Sequence, residues 1–470
     1  MTLVVGALPI AGYANNYDFL RQSGCVGVWE HYPDGHAKTD PSPHQPVDTL
    51  DYDGQRRPDL CMPSSDNLFP WAVAHLYHKH TPLTLHQIGW LKLAVAALLF
   101  LAVLLQPVPE SFRLGCALAG FLILGDLTYL LFFNSLYLDA SLIMFGFASI
   151  MLTCAIFCRR APPTPGFILL LAAVTAWFVF ARGQYTAFAL LLMPLAAFGL
   201  YRCWHSRFGP VTLLLACVAC LGGLYHFHAT RNEHTAHIAI ANEVDTVLGA
   251  VLPAATDKQA ALRDLGLPPH CAAAIGMTWY TPGFQQHSPC PEVDGLGRLV
   301  LIKLFLLDPA TFTHPFHQVI EMSRPADMPY LGHFARPGDQ RRLRFRLLAA
   351  TSFTDALGWL PGQFYTGVVL ASIVVGALCF ASFLLMQVRS VTGSGRTRAA
   401  VLLAAIAGGL TFYGVLSSGF GDGYGEVGRH AIGVDIGLAL QIAACVMMLA
   451  AFAESERWPG AERRPSPASC

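Results

Sequence analysis

Polar residues in this chain gather at one face of a series of apolar segments, and that sorting constrains the fold more than any motif does. About ten stretches are apolar enough to be read as membrane-crossing: 1–13, 88–106, 114–133, 140–157, 167–181, 186–201, 211–227, 364–388, 399–420 and 433–452. Asn15, Asn16, Tyr17 and Asp18 follow the first, and the run from Asn134 to Asp139 follows the third. Arg182, Gly183 and Gln184 follow the fifth; Asp422 to Glu426, with Arg429 and His430, follow the ninth. Alternate crossing puts all four groups on one side. A soluble core does not sort polarity in this way, and a channel would spread it through the bilayer depth. The pattern predicts a site at the membrane surface, where a lipid-borne reactive group meets a water-borne partner.

Composition agrees. Of 470 residues 54% are hydrophobic and 13% charged, against roughly a quarter charged in soluble domains. Each crossing needs about 20 apolar residues, so the expected fold is an all-α polytopic membrane protein with about ten transmembrane helices and a helical extracytoplasmic domain. The formal net charge is zero, and membrane lipids rather than nucleic acid are the expected partners. Arg113, Arg159, Arg160, Arg202, Arg207, Arg389, Arg396, Arg398, Arg463 and Arg464 share the side opposite the polar clusters. The positive-inside rule makes that side cytoplasmic, with both termini inside.

The organisation read from these signals is a short or truncated first transmembrane helix over 1–13 and an extracytoplasmic loop over 14–87. Helices two to seven follow over 88–227, an extracytoplasmic helical domain over 228–363, helices eight to ten over 364–453, and a disordered cytoplasmic tail over 454–470. A signal-like apolar region is the alternative for 1–13. Within the outer segments, 68–80 suggests a helix on the membrane surface, and 231–252, 257–265, 296–307 and 309–322 read as further helices.

Thirteen cysteines are present, and four fall in the outer loops: Cys25, Cys61, Cys271 and Cys290. An oxidising compartment invites them to pair. Cys25 with Cys61 would staple the first loop and Cys271 with Cys290 would close a short one, although four cysteines allow three connectivities. A zinc site is a weaker reading, since the outer loops hold no CxxC.

Among candidate chemical groups Asp18 comes first: a carboxylate just outside the first segment could take a proton from an attacking hydroxyl. A solvated helix-end acid paired with Arg21 is an equally weighted reading, and Asn15 belongs to the same cluster. Asn134 and Tyr137 sit at a turn between spans, where turn chemistry and the interfacial aromatic belt explain much of their presence. Asp126 falls inside the third apolar segment, and an intramembrane acid is a functional candidate by default. Arg182 with Gln184, and Arg429 with His430 beside Glu426, suit a phosphate near the headgroup plane. For most of Arg341, Arg342, Arg344 and Arg346, adhesion to anionic lipid is the simpler reading. Asp51 and Asp53 form a DxD that could hold a divalent metal, a weak signal in a Pro/Asp-rich loop. Gly423 to Gly428 matches GxGxxG but follows a membrane segment without a Rossmann context. No P-loop, HExxH or GxSxG is present.

Taken in order, "FFNSLYLDA", "ARGQY", "VDTVLGAVLPAATDKQAALRDLGLPPHCAAAIGMTWY", "FTHPFHQVIEMSRPADMPYLGHF" and "GDGYGEVGRH" resemble the bacterial membrane hexosyltransferases of the S-layer glycan type, within the GT-C superfamily, from Ala14 to about Asp435. The resemblance implies a sugar transferase of the bacterial inner membrane. Its donor would be a polyprenyl-phosphate-linked sugar, and its acceptor a glycan or lipid-linked glycan on the outer face. It implies that Asp18 is the first-loop acid near the reacting centre, and that Arg182, Gln184, Arg429 and His430 lie near the lipid phosphate. Where the commoner GT-C pattern has two adjacent acids this chain has Asn-Asn-Tyr-Asp, which leaves dependence on a divalent metal open. Competing readings are a transporter or flippase for lipid-linked sugars, a non-catalytic envelope assembly protein, and an acyltransferase.

Overall fold

The computed structural model describes residues 1–7, 10–15, 17–32, 49–77, 82–205, 207–230, 232–324, 352–388 and 395–457. Asn16, Arg389, the cluster from Arg341 to Arg346 and the tail beyond 457 fall outside the described residues.

Within the amino-terminal apolar run the described residues make one helical turn, α1 (Thr2–Val5), ending at Gly6. A short helix, α2 (Phe19–Val26), stops at Gly27, whose φ of 70° suits the left-handed turn there. A small antiparallel sheet follows that the apolar pattern did not predict: β1 (Val28–Glu30) pairs with β2 (Thr49–Tyr52), and β2 with β3 (Leu83–Thr84). Between β2 and β3, Ser64 caps a tight turn by accepting from the Asp66 amide, and α3 (Leu68–Tyr77) runs on with Leu68, Trp71 and Leu76 exposed.

The bundle begins at α4 (Leu85–Leu104), where Gln87 accepts from the Thr84 amide as a capping box. It continues through α5 (Glu110–Leu124), the turn α6 (Leu127–Leu130), α7 (Asp139–Ala155), α8 (Pro165–Val179), α9 (Thr186–Trp204) and α10 (Phe208–Ala229). An outer region holds α11 (Glu233–Val244), a π-helical stretch at Asp245–Val251, α12 (Lys258–Leu265), α13 (Leu299–Leu307) and α14 (Ala310–Met322). The turn α15 (Phe353–Gly358) leads to α16 (Gly362–Val388), α17 (Gly395–Asp422), the turn α18 (Val427–His430) and α19 (Ile432–Arg457).

Six helices among the described residues are long and apolar enough to cross a membrane, not ten: α4, α9, α10, α16, α17 and α19. The difference has local causes. The third apolar segment is broken at Gly125 and Asp126, leaving a helix of 15 residues, while α7 and α8 have 17 and 15, short of the roughly 20 that a crossing takes. Every residue of α7 is buried, so it is a central post surrounded by other helices, whereas α10 and α16 turn rows of large apolar side chains outward. Gly376 and Gly408 let α16 and α17 cross at contact: a β-carbon on either would lie 2.5 Å from the other's α-carbon, the close approach that small residues permit between membrane helices.

The outer region has its own core, in which Val247, Leu248, Leu262, Leu265, Phe284 and Leu304 pack with Phe420 from the last turn of α17. Sulfur bridges join Cys25 to Cys61 and Cys271 to Cys290.

Candidate functional site

Four stretches far apart in sequence meet at the end of the bundle beneath the outer region. They are the start of α2, the α8–α9 turn, the α17–α19 turn, and the facing side of α11 with residues from near α13. Together they enclose a cavity of about 860 Å³ lined by Asp18, Arg21, Arg182, Gln184, Arg298, Asp422, Glu426, Arg429 and His430, with Leu416, Phe420, Phe305 and Ile238 on its apolar side. The cavity therefore has charged and hydrocarbon walls in one volume.

Its centre is the Arg429 guanidinium, 3% exposed, bridging Asp18 Oδ2 at 2.6 Å and Glu426 Oε2 at 2.7 Å. The same group lies 5.1 Å over the Tyr137 ring, a cation–π contact. Arg21 reaches Asp18 Oδ1 at 3.0 Å. His430 Nδ1 is 2.8 Å from Asp422 Oδ2, and its Nε2 is 3.8 Å from Glu426. Arg182 is paired with Asp139 at the start of α7. Burial would push the Asp18 carboxyl up, but Arg21 and Arg429 outweigh it and hold the acid well below the usual carboxylate range. Burial likewise opposes the charge of Arg429, and Asp18 and Glu426 reverse that, holding the guanidinium protonated.

The backbone is unusual at this point. Only Tyr17, His205 and Glu426 among the described non-glycine residues have positive φ; Tyr17 (78°) precedes Asp18, and Glu426 (48°) is itself a partner of Arg429. Such conformations cost about 1–3 kcal/mol each and persist where their surroundings over-determine them. Gly423 (φ 59°) makes the adjoining turn, where a β-carbon would lie 2.4 Å from the Asp245 carbonyl. That contact, with Asp245 Oδ1 accepting from the Trp279 amide at 2.6 Å, seats the outer region on the α17–α19 turn.

The floor is hydrogen-bonded across the bundle. Gln184 Nε2 donates to Ser417 Oγ and to the His430 carbonyl, both at 3.1 Å. Tyr185 donates to the His430 carbonyl at 2.7 Å and accepts from the Gly433 amide at 2.9 Å. Tyr413 donates to the Gln184 carbonyl at 2.7 Å.

Of the residues singled out in the sequence, Asp18, Arg21, Arg182, Gln184, Glu426, Arg429 and His430 line the cavity, and Tyr137 lies behind Arg429 while its hydroxyl donates to the Ala14 carbonyl. The other three stand elsewhere. Asn15 donates to Glu30 at 2.6 Å and accepts from the Phe19 amide. Asn134 donates to the Val5 and Ala11 carbonyls at 3.0 and 2.8 Å, anchoring the amino-terminal segment. Asp126 caps α6 through the Thr128 amide and takes the Thr354 amide and hydroxyl, each at 2.8 Å, tying α15 to the bundle. Asp51 pairs with His31, and Asp53 accepts from Trp29 and Gln55. One metal-sized cluster occurs among the described residues, His270, Cys271 and Glu292; the Cys271 sulfur is bridged to Cys290 and offers no thiolate.

Arg298, Tyr413, Ser417 and Tyr280 also line the cavity and were not singled out. Tyr413 and Ser417 had a signal, being polar-ended residues four apart on one face of an apolar segment. Arg298 and Tyr280 had none, because a fold has to carry them there.

Fold and site together define a multi-pass α-helical membrane protein with a charged cavity at one end of its bundle. The chain belongs to the family of the YfdI N-terminal transmembrane domain, which matches residues 88–457 and so takes in every cavity wall except Asp18, Arg21 and Met62. No curated protein and no solved structure matches the chain. The family description names a transmembrane domain and no reaction.

Proposed function

We propose that the chain is a GT-C-type membrane glycosyltransferase, transferring a sugar from a polyprenyl-phosphate donor to an envelope glycan or lipid-linked acceptor. The observation that carries this reading is the meeting of Asp18, Arg182 and Arg429 in one cavity that also has an apolar wall. A volume of about 860 Å³ falls within the roughly 300–1,000 Å³ usual for small-molecule sites.

In this reaction the acceptor hydroxyl oxygen bonds to the anomeric carbon as the bond from that carbon to the phosphate oxygen breaks. The hydroxyl proton passes to Asp18, and the phosphate leaves with the electron pair, its growing charge met by guanidinium groups. Asp18 paired with Arg429 is a weak base. A donor phosphate drawing Arg429 toward itself would restore the basicity of Asp18 when a substrate is present. The membrane is the bacterial inner membrane in this reading. Arg113, Arg160 and Arg202 occupy the bundle end opposite the cavity, beside Gln106, Pro107 and Gln387, and the positive-inside rule places that end in the cytoplasm and the cavity outside.

The test is transfer from a polyprenyl-phosphate sugar in membranes of matched protein content. Asp18→Asn is expected to lose activity by about 10²-fold or more, the scale of a lost general base, with Arg429→Lys impaired through loss of its two-sided bridge. Full activity in Asp18→Asn would overturn the assignment.

A further inference from the structure

The geometry points to α13 as a helix embedded in the outer layer of the bilayer, a single-helix partition between lipid and the cavity. Its sequence, LVLIKLFLL, is apolar on every side but one, and a helix of that kind is buried in protein or in lipid. Half of it is buried in protein: Leu301 and Leu304 are 2% and 1% exposed in the outer region's core. The other half is not. Leu299 is 81% exposed, Ile302 53% and Leu306 79%, and these residues follow one another at helical spacing along a single face.

Depth decides what covers that face. Phe305 of α13 and Phe312 of α14 pack on Phe420, their ring centres 5.0 and 5.2 Å away, two residues before α17 ends at Asp422. Beyond a bend of 107° between the two helices, Phe316 reaches Phe412 at 5.7 Å. Phe412 lies ten residues before the end of α17, about 15 Å along it. The bent pair thus lies beside a membrane-crossing helix rather than beyond it, and its second arm, α14, packs against α16, a helix whose outward side is apolar. Lys303 is the one charge on α13, and its ammonium lies 3.6 Å from Asp264 of α12, the course of a stem that lies along an apolar surface while its head stays in water.

The opposite side of α13 faces the cavity, into which Arg298 and Phe305 contribute. Arg298 donates to the Phe420 and Gly421 carbonyls at 3.2 and 2.5 Å, so the helix is pinned at its first turn to the end of α17. A lipid-anchored molecule enters the cavity by passing α13. This placement does not depend on the reaction assigned to the site.

The experiment is labelling of single added cysteines by a water-soluble maleimide, with the parent chain's labelling subtracted and total thiol measured after denaturation. Leu306→Cys and Leu299→Cys are compared with Gln259→Cys on the exposed side of α12, in native membranes and in lipid nanodiscs holding one copy. A thiol in hydrocarbon is not ionised and reacts slowly, so the two α13 positions should label at least about ten-fold more slowly than Gln259→Cys in both settings. Equal labelling would overturn the placement. Protection in native membranes that is lost in single-copy nanodiscs would overturn it too, and would assign the face to another protein or a second copy of this chain.

Discussion

Replacing Lys92 with methionine should destabilise the chain and also loosen its cavity. Lys92 and Asp66 are both fully buried, with Nζ 2.9 Å from Oδ2. Lys92 also donates to the Ser135 carbonyl, and Asp66 accepts from Gln22 and from the amide and hydroxyl of Ser141. At an effective dielectric of about 20 the attraction is about 6 kcal/mol, which the desolvation of both ions largely offsets. Removing one partner leaves the other charge buried alone, a loss of about 3–5 kcal/mol. The turn carrying Asp66 also holds the end of α8, through Ser64 to the Ala181 carbonyl and Ser65 to that of Trp177. Ser141 sits two residues after Asp139, the partner of Arg182. Unfolding of Lys92→Met in nanodiscs, followed by tryptophan fluorescence, should show that loss, and Lys92→Met with Asp66→Asn should recover at least half of it. A single variant within about 1 kcal/mol of the parent, or a double variant no better than the single, would refute a net role for the pair.

Three further outcomes follow from particular contacts. Burial outweighs the hydrogen bonds from Tyr32 and Asn15 and raises Glu30 from 4.5 to about 7. Its folded value exceeds its unfolded one, so its contribution is present in full below about 4.5 and lost as pH rises through about 7. Thermal unfolding between pH 5 and 8.5 should therefore show a decline approaching about 3 kcal/mol in the parent that Glu30→Gln flattens. Opening the Cys271–Cys290 bridge, with its separation of 19 residues, should cost about 3 kcal/mol; protease resistance of the outer region with and without reductant measures it. Gly423→Val places a branched side chain against the Asp245 carbonyl at a positive φ, and should unseat the outer region from the α17–α19 turn, read as faster cleavage within 233–322.

The sorting of polarity along the chain was legible because it follows from transfer free energy, residue by residue. Hence the apolar segments and the joining of Asp18, Arg182 and Arg429 at one end could be anticipated. Span count was less legible: hydropathy does not report that Gly125 and Asp126 break the third segment, or that α7 and α8 stop at 17 and 15 residues. Asp126 and Asn134 have the composition of functional groups, yet here they satisfy backbone amides and carbonyls of other segments, a use that depends on partners 228 and 129 residues away. Lys92 carries a signal of its own, as a lysine inside an apolar segment, but its partner Asp66 lies in an outer loop of the sequence. The sheet leaves no mark in the sequence because its strands have two to four residues, too few for alternation to register.

The bonds beneath the cavity bear on how this chain can move. Gln184, Tyr185 and Tyr413 stitch the α8–α9 turn to the α17–α19 turn through the His430 carbonyl, the Gly433 amide and Ser417. These turns belong to opposite halves of the sequence, the halves that a rocking carrier would swing apart to expose a ligand to the far side. Such a swing would have to break five buried or part-buried hydrogen bonds together, each worth about 1 kcal/mol net and more if left unpaired. The two turns are thus fastened together directly under the cavity, and any motion that separated them would carry that cost.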